Sequence, residues 1–171
     1  FFFFFFFFFF FFLSYVFVVS ALFLFVVVLY VCHHTRLVKY YGGMAHTMPI
    51  FVTIFLFFTL ANIAMPLTAG FVGEFLILVG AFQANTTIAV LGATGMVLGG
   101  GYSLWLFNRI AYGNLKVQAL KAFSDMNRRE FAIQLPLILG TFVMGIYPEI
   151  FLDPMHVSVA NLIEHINSQT V

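Results

Sequence analysis

The chain has 171 residues, of which 63% are hydrophobic and only 8% are charged, and its formal net charge is +1. This composition excludes an ordinary water-soluble domain and is typical of an integral membrane protein. The small charge argues against nucleic-acid binding, and the single cysteine, Cys32, excludes an internal disulfide or an iron–sulfur cluster held by this chain alone.

The chain begins with an unbroken phenylalanine run, residues 1–12, followed by the apolar stretch LSYVFVVSALFLFVVVLY. The run is either a placeholder for poorly read sequence or genuine sequence, so the status of residues 1–12 is open. Both alternatives leave a membrane-spanning helix within about residues 10–31. The absence of an initial methionine indicates a fragment, and we expect residues 1–171 to form a single membrane domain.

Residues 33–48 form the first polar loop and carry Arg36 and Lys39. Cytoplasmic or matrix-facing loops are rich in basic residues, so this loop is expected on the inside. Three histidines lie in it without an acidic or cysteine partner: His33, His34 and His46. They are interpreted as interfacial residues, and no metal site is predicted.

The longest apolar stretch, residues 50–82, has the sequence IFVTIFLFFTLANIAMPLTAGFVGEFLILVGAF. One straight helix of this length would reach about 50 Å, whereas the hydrocarbon core of a bilayer is roughly 30 Å thick. Pro66 lacks an amide donor, and Gly70 and Gly73 tolerate unwound backbone. We therefore predict non-helical backbone within residues 65–73, with helix on both sides.

Glu74 follows this predicted break. A carboxyl group in lipid is costly, so Glu74 is expected to face a protein-lined and partly hydrated interior, and discontinuous helices are where transporters place ion sites. Tyr15 and Thr68 are candidates for a polar path beside it. A role in proton transfer is our hypothesis; the alternative is a structural acid that forms hydrogen bonds in its neutral form.

The second half of the chain predicts two more spans, residues 88–107 and 131–148. The loop between them is basic and is expected inside, whereas the uncharged QANTT turn and the acidic C-terminal tail are expected outside. Residues 50–82 must then cross the membrane once. Three glycines in the first of these spans favour close approach of a neighbouring helix: Gly92, Gly95 and Gly99.

The tail contains Asp153 followed by Pro154, an N-cap with proline at the first helical position. Together these patterns predict an all-α, polytopic membrane protein. It has about four transmembrane helices, one of them broken, plus a short surface helix at the C-terminus.

Four stretches carry a family resemblance: FTLANIAMPLTAGFVGEFLILVGAF, GYSLWLFNRIAYGNLK, FSDMNRREF and MGIYPEIFLDPMH. They resemble the C-terminal part of the antiporter-like membrane-arm subunits of mitochondrial NADH:ubiquinone oxidoreductase, complex I, and within them the subunit 4 branch. The resemblance covers roughly residues 13–167. It implies that Glu74 is the polar-axis residue linked to the outward half-channel.

The resemblance also implies a multi-pass protein of the mitochondrial inner membrane with its C-terminus on the intermembrane-space side. The chain itself is expected to hold no cofactor; NADH, FMN, iron–sulfur clusters and ubiquinone are expected in other subunits. Its expected partners are other complex I membrane-arm subunits, including neighbouring antiporter-like subunits, the missing N-terminal half, and membrane lipid.

Two pairs of residues depart from the family pattern. Tyr15 and Val16 stand where the family usually has His-Gly, and Val31 and Cys32 stand where it usually has Asp-Arg. A tyrosine hydroxyl can hydrogen-bond a water chain, but it does not titrate near neutral pH as histidine does.

Two other functions stay open: a subunit of a cation/proton antiporter or membrane hydrogenase, and a non-pumping membrane scaffold.

Overall fold

The computed structural model describes residues 2–35, 37–113 and 125–150, together with Asp153 and Asn161. These residues form helices and no strands, which confirms the all-α fold class. Most of the predicted C-terminal surface helix lies outside the described residues. The helices are α1 (Phe2–His33), α2 (Pro49–Asn62), α3 (Ala69–Ala84), α4 (Thr86–Ala111) and α5 (Arg128–Ile146), with 3₁₀ turns at Val38–Tyr40 and Met44–His46.

Helix lengths show how the chain crosses a membrane. By length and composition, α4 with 26 residues and α5 with 19 are each sufficient for one crossing. In contrast, α2 with 14 residues and α3 with 16 extend only about 21 and 24 Å, short of the roughly 30 Å needed. These two helices make few contacts with each other, unlike the two arms of a hairpin. They are therefore the two halves of one broken crossing.

An aromatic cluster fixes α2 between α1 and α4. Phe51, Phe55 and Phe58 recur on one face of α2, and their rings lie 4.9, 5.4 and 6.1 Å from the ring of Phe25 in α1. On the other side, the rings of Phe55 and Phe107 of α4 are 5.5 Å apart. Tilted and edge-to-face rings at these distances attract one another beyond their burial of apolar surface. The first half of the broken crossing is thus held firmly.

The polar loops meet at one end of the helix bundle. The backbone amide of Gly43 donates to the carbonyl oxygen of Tyr112 at 3.1 Å. The carboxylate of Asp125 accepts hydrogen bonds from the backbone amides of Ile50 at 3.0 Å and Phe51 at 3.2 Å. The loop before α2 and the segment before α5 therefore share one end. That this end faces the inside of the membrane stays a prediction.

Candidate functional site at the helix break

The break occupies residues 63–68 and begins with a specific helix terminus. The amide of Met65 donates to the carbonyl of Leu60 at 3.1 Å, and the amide of Ala64 donates to the carbonyl of Ala61 at 3.2 Å. Ala64 has a positive φ of 60°. This pair of bonds around a left-handed residue is the Schellman motif that ends many helices. Helix α2 therefore ends in an ordered cap rather than by fraying.

The remainder of the break leads into α3. Pro66 follows the cap and has no amide to continue the helix. Leu67 is also left-handed, with φ 75°. Thr68 then donates twice to the carbonyl of Met65, from its amide at 3.2 Å and from its hydroxyl at 2.6 Å, and it is buried. Because that hydroxyl donates to the carbonyl of Met65, Thr68 stabilises the conformation of the break.

The two glycines expected in the break lie elsewhere. Gly70 and Gly73 both belong to α3, one and four residues beyond its start at Ala69. A Cβ atom on Gly70 would come within 2.5 Å of the carbonyl oxygen of Ala61, in the last turn of α2. Gly70 therefore permits close contact between the two half-helices. The interruption itself includes Pro66 but neither glycine.

Two other helices enclose the break. On α4, a Cβ atom on Gly100 would lie 3.2 Å from Cγ2 of Ile63, and on α5 a Cβ atom on Gly145 would overlap the carbonyl oxygen of Leu67. By contrast, a Cβ on Gly95 would meet nothing within 4 Å. Of the three glycines expected to allow close approach, Gly92 contacts α3, since a Cβ there would lie 3.6 Å from Cδ2 of Leu78. Among the described glycines of α4, the tightest approach is at Gly100.

Glu74 lies five residues beyond the first residue of α3, which is about 7.5 Å along the helix axis. It is half-buried and lies one helical turn beyond Gly70 on the same side of α3, whereas the side chains of Phe71 and Phe75 are exposed. Among the described residues, no hydrogen bond or ion pair joins its carboxyl group to another side chain. The acid therefore lies in the first half of α3, close to the break, with its polar atoms unengaged by the described residues.

A partly open cavity of about 220 Å³ lies between α1, α2 and α4, and most of its lining surface is apolar. Its polar lining comprises Tyr15, Thr59, Asn62, Tyr102 and Ser103. The amide nitrogen of Asn62 donates to the hydroxyl oxygen of Ser103 at 3.3 Å. A cavity of this size with several polar groups has room for water. Asn62 is the last residue of α2, so the cavity extends to the beginning of the break.

The structure brings together only some of the residues singled out from sequence. Tyr15 lines the cavity, whereas Thr68 and Glu74 are not among its described lining residues. Sequence reasoning missed Thr59, Asn62 and Ser103. A signal for two of them was present, because Thr59 and Asn62 are polar residues three positions apart, on one face of an otherwise apolar helix.

The structure describes the surroundings of two of the loop histidines, His34 and His46. Within the described residues, no group of three or more histidine, cysteine, aspartate or glutamate side chains could hold a metal ion. The ring of His34 lies edge-on to the ring of Tyr30, with centroids 6.0 Å apart, and His46 is exposed. Both histidines therefore lie in the polar segment at one end of the helix bundle.

These features define a class, a polytopic helical membrane protein with one discontinuous helix and an acid just beyond its break. The family described as "NADH:quinone oxidoreductase/Mrp antiporter, TM" matches residues 6–100, more than half of the chain. The chain belongs to this family. The family resemblance inferred from the sequence is confirmed.

Individual relatives agree with this assignment. NADH-ubiquinone oxidoreductase chain 4 of Marchantia polymorpha is 61% identical over 152 residues, which cover 89% of this chain and 31% of the relative. The corresponding chain of Arabidopsis thaliana is 60% identical with the same coverage. NADH-quinone oxidoreductase subunit M of Rhodobacter capsulatus is 45% identical, covering 89% of this chain and 30% of the relative. The chain spans about a third of the length of these curated relatives.

A solved structure shares the fold. A chain of respiratory complex I from Thermus thermophilus with bound NADH superposes with a TM-score of 0.71 and 27% sequence identity. The match covers 77% of this chain and 27% of that chain. Over the matched part, the helix arrangement described above is therefore similar to that of part of a chain of respiratory complex I.

Proposed function

We propose that this chain is the C-terminal part of an antiporter-like membrane-arm subunit of respiratory complex I, in which Glu74 carries protons. The observation that carries the proposal is the half-buried carboxyl group just beyond an ordered helix break. The identity of about 60% to subunits named NADH-ubiquinone oxidoreductase chain 4 supports the assignment to complex I. In this proposal NADH, FMN, iron–sulfur clusters and ubiquinone are bound by other subunits.

The ends of two half-helices meet at the break and create opposite electrostatic environments. The C-terminal end of α2 presents carbonyl oxygens, the negative end of its dipole, whereas the N-terminal end of α3 is the positive end. A hydrated proton is favoured at the former and a carboxylate near the latter. Glu74 lies in the second turn of α3, where the dipole effect is already weaker than at the first amides, so its carboxylate gains only a small part of this stabilisation.

The cavity between α1, α2 and α4 supplies the second part of the proposed path through its few polar side chains. Asn62 and Ser103 can bind water beside the end of α2, and the hydroxyl group of Tyr15 can extend that water chain towards α1. Glu74 lies beyond the break on α3, so a proton that moves between the cavity and Glu74 must pass residues 63–68. Thr68, which lies in this segment, is the polar side chain placed to assist at that step.

The same proposal also gives the membrane, the orientation and the partners of the chain. The chain is a multi-pass protein of the mitochondrial inner membrane, with the end that holds Gly43 and Asp125 facing the matrix and the C-terminus facing the intermembrane space. Its partners are neighbouring antiporter-like subunits, the rest of its own subunit on the N-terminal side, and membrane lipid.

A second candidate is a cation/proton antiporter subunit, since the description of the matching family includes Mrp antiporters. Both candidates use the broken helix and Glu74. Purification of the native assembly distinguishes them, because the complex I proposal predicts NADH-oxidising subunits in the same particle. Replacing Glu74 with glutamine then tests the proton-carrying role itself, by comparing proton uptake per NADH oxidised with that of the unmodified complex.

A further inference from the structure

Asp125 connects two parts of the chain that are distant in sequence, and it has no role in the proton path proposed above. Its two carboxylate oxygens accept from the amides of Ile50 and Phe51, the second and third residues of α2, at 3.0 and 3.2 Å. One of these oxygens also accepts from the amide of Met126 at 2.7 Å. The local N-cap residue, Met48, makes no side-chain hydrogen bond. The N-terminus of α2 is therefore capped by an acid 75 residues away in sequence.

A negative charge suits this position. The first amides of a helix lack intrahelical partners and form the positive end of its dipole, so a carboxylate there is stabilised by both hydrogen bonds and charge. A capping residue from the same helix would serve the same local purpose. A cap from outside the helix does more, because it also fixes the distance between α2 and the segment that leads into α5.

Helix α5 then contacts the broken crossing again at two further points. The rings of Phe142 in α5 and Phe57 in α2 are stacked with centroids 4.8 Å apart. Further along, Gly145 lies against the carbonyl oxygen of Leu67 in the break. The contacts occur in the same order along both segments. The segment from Asp125 to Gly145 therefore has the same direction as α2 and meets the broken crossing at isolated points, while most of the packing of α5 is against α1 and α3.

We propose that Asp125 is a positioning residue that couples the segment before α5 to the first half of the broken helix and thereby sets the position of Asn62 at the cavity. The inference rests on the proposed function, since it concerns the delivery of protons to the break. Helix α2 is short and tightly packed, so a displacement at Ile50 is carried to its far end. Loss of the carboxylate releases α2 at one end while its aromatic contacts remain.

The test uses the assembled complex and two readouts. Hydrogen–deuterium exchange of the peptide covering residues 48–58 reports the capping of α2, and proton uptake per NADH oxidised reports function. Asp125→Ala is expected to increase exchange about tenfold and to reduce proton uptake per NADH about twofold or more, because charged-acceptor hydrogen bonds are lost at the helix end. Asp125→Asn keeps one hydrogen-bond acceptor and is expected to show smaller changes in the same direction. This variant replaces Asp125→Ala in the test if the alanine variant does not assemble.

Glu130→Gln is the matched control. It removes one negative charge from the same end of the bundle, but its carboxylate accepts from the amide of Asn127 at 2.9 Å, at the start of its own helix. Exchange of residues 48–58 and proton uptake are both expected to match the unmodified complex. A Glu130→Gln variant that behaves like Asp125→Ala would assign the effect to surface charge and overturn the proposal.

A double variant separates positioning from simple helix capping. Ile50 is 50% exposed, and Ile50→Asp places an acid in the first turn of α2, where it favours the helix terminus. In the Asp125→Ala background it should restore slow exchange but leave proton uptake low. Recovery of both readouts, or normal values of both in Asp125→Ala alone, would overturn the positioning role. Normal pumping by Glu74→Gln, measured alongside, contradicts the proposed function instead.

Discussion

Gly145 of α5 packs directly against the backbone carbonyl oxygen of Leu67, the second left-handed residue of the helix break. A side chain at this position would overlap the carbonyl group, so only glycine allows the two backbones to lie this close. The contact places α5 against the segment that joins α2, whose last residue Asn62 lines the cavity, to α3, which carries Glu74. The geometry of the break therefore depends on a helix more than 60 residues further along the chain.

Substitution of Gly145 tests this contact. Gly145→Ala is expected to displace Leu67 or α5 and to destabilise the packing by about 1–3 kcal/mol, as overpacking does in other close-packed interiors. The measurement is the fraction of complex that stays assembled after a heat challenge. Gly101→Ala in α4 is the control, since a Cβ there meets nothing within 4 Å in the structure. Equal losses in the two variants would contradict the packing argument.

Ala64 offers a test of the helix terminus itself. An L-residue in the left-handed conformation is strained by about 1–2 kcal/mol, so Ala64→Gly relieves strain and offsets the loss of one buried methyl group. We expect unchanged or slightly higher heat stability of the complex. Ala64→Val is expected to lower it clearly, because a branched side chain disfavours positive φ further.

The control for Ala64 is a buried alanine within a regular helix. Ala89→Gly in α4 is expected to destabilise by about 1 kcal/mol, since glycine is the poorer helix former. The same substitution is therefore expected to have opposite effects on stability at these two buried alanines. If Ala64→Gly lowers stability as much as Ala89→Gly does, Ala64 is not held in the left-handed conformation in the membrane.

The cavity is tested through Asn62. Asn62→Leu has a similar volume but no polar atoms, so it should remove the hydrogen bond to Ser103 and dry the cavity beside the break. Proton uptake per NADH oxidised is expected to fall about twofold or more while assembly is retained. Thr94→Val on the exposed face of α4 serves as the control, because its hydroxyl donates only to Leu91 of its own helix. Unimpaired proton uptake in Asn62→Leu would remove the cavity from the proposed path.

The sequence was sufficient to predict the number and type of the helices and the existence of the break. The information came from the length of the apolar stretches, from Pro66 and from the alternation of basic and neutral loops. The structure confirms the all-α fold with one broken helix. The residues at which the break begins and ends were harder to predict from the sequence. Ala64 ends α2 in a conformation that glycine normally adopts, so nothing in its residue type marks it as the terminus.

Contacts between distant elements were beyond sequence reasoning. Gly70 was expected to loosen the backbone, yet it lies in a helix and permits contact with Ala61, a role that depends on where α2 ends. The cap that Asp125 places on α2 depends on the packing of segments 75 residues apart. Local patterns encode helix periodicity and turns, whereas such contacts arise only once the helices are packed together.

The role of Glu74 as a proton carrier is tested by comparing Glu74→Gln and Glu74→Asp with the unmodified complex in sealed vesicles. Glutamine keeps the size and hydrogen-bonding shape but cannot release a proton, so proton uptake per NADH oxidised should fall at equal assembly. Aspartate still titrates and should retain more activity than glutamine. If Glu74→Gln takes up as many protons per NADH as the unmodified complex at equal assembly and turnover, Glu74 is a structural acid and the proposed path is wrong.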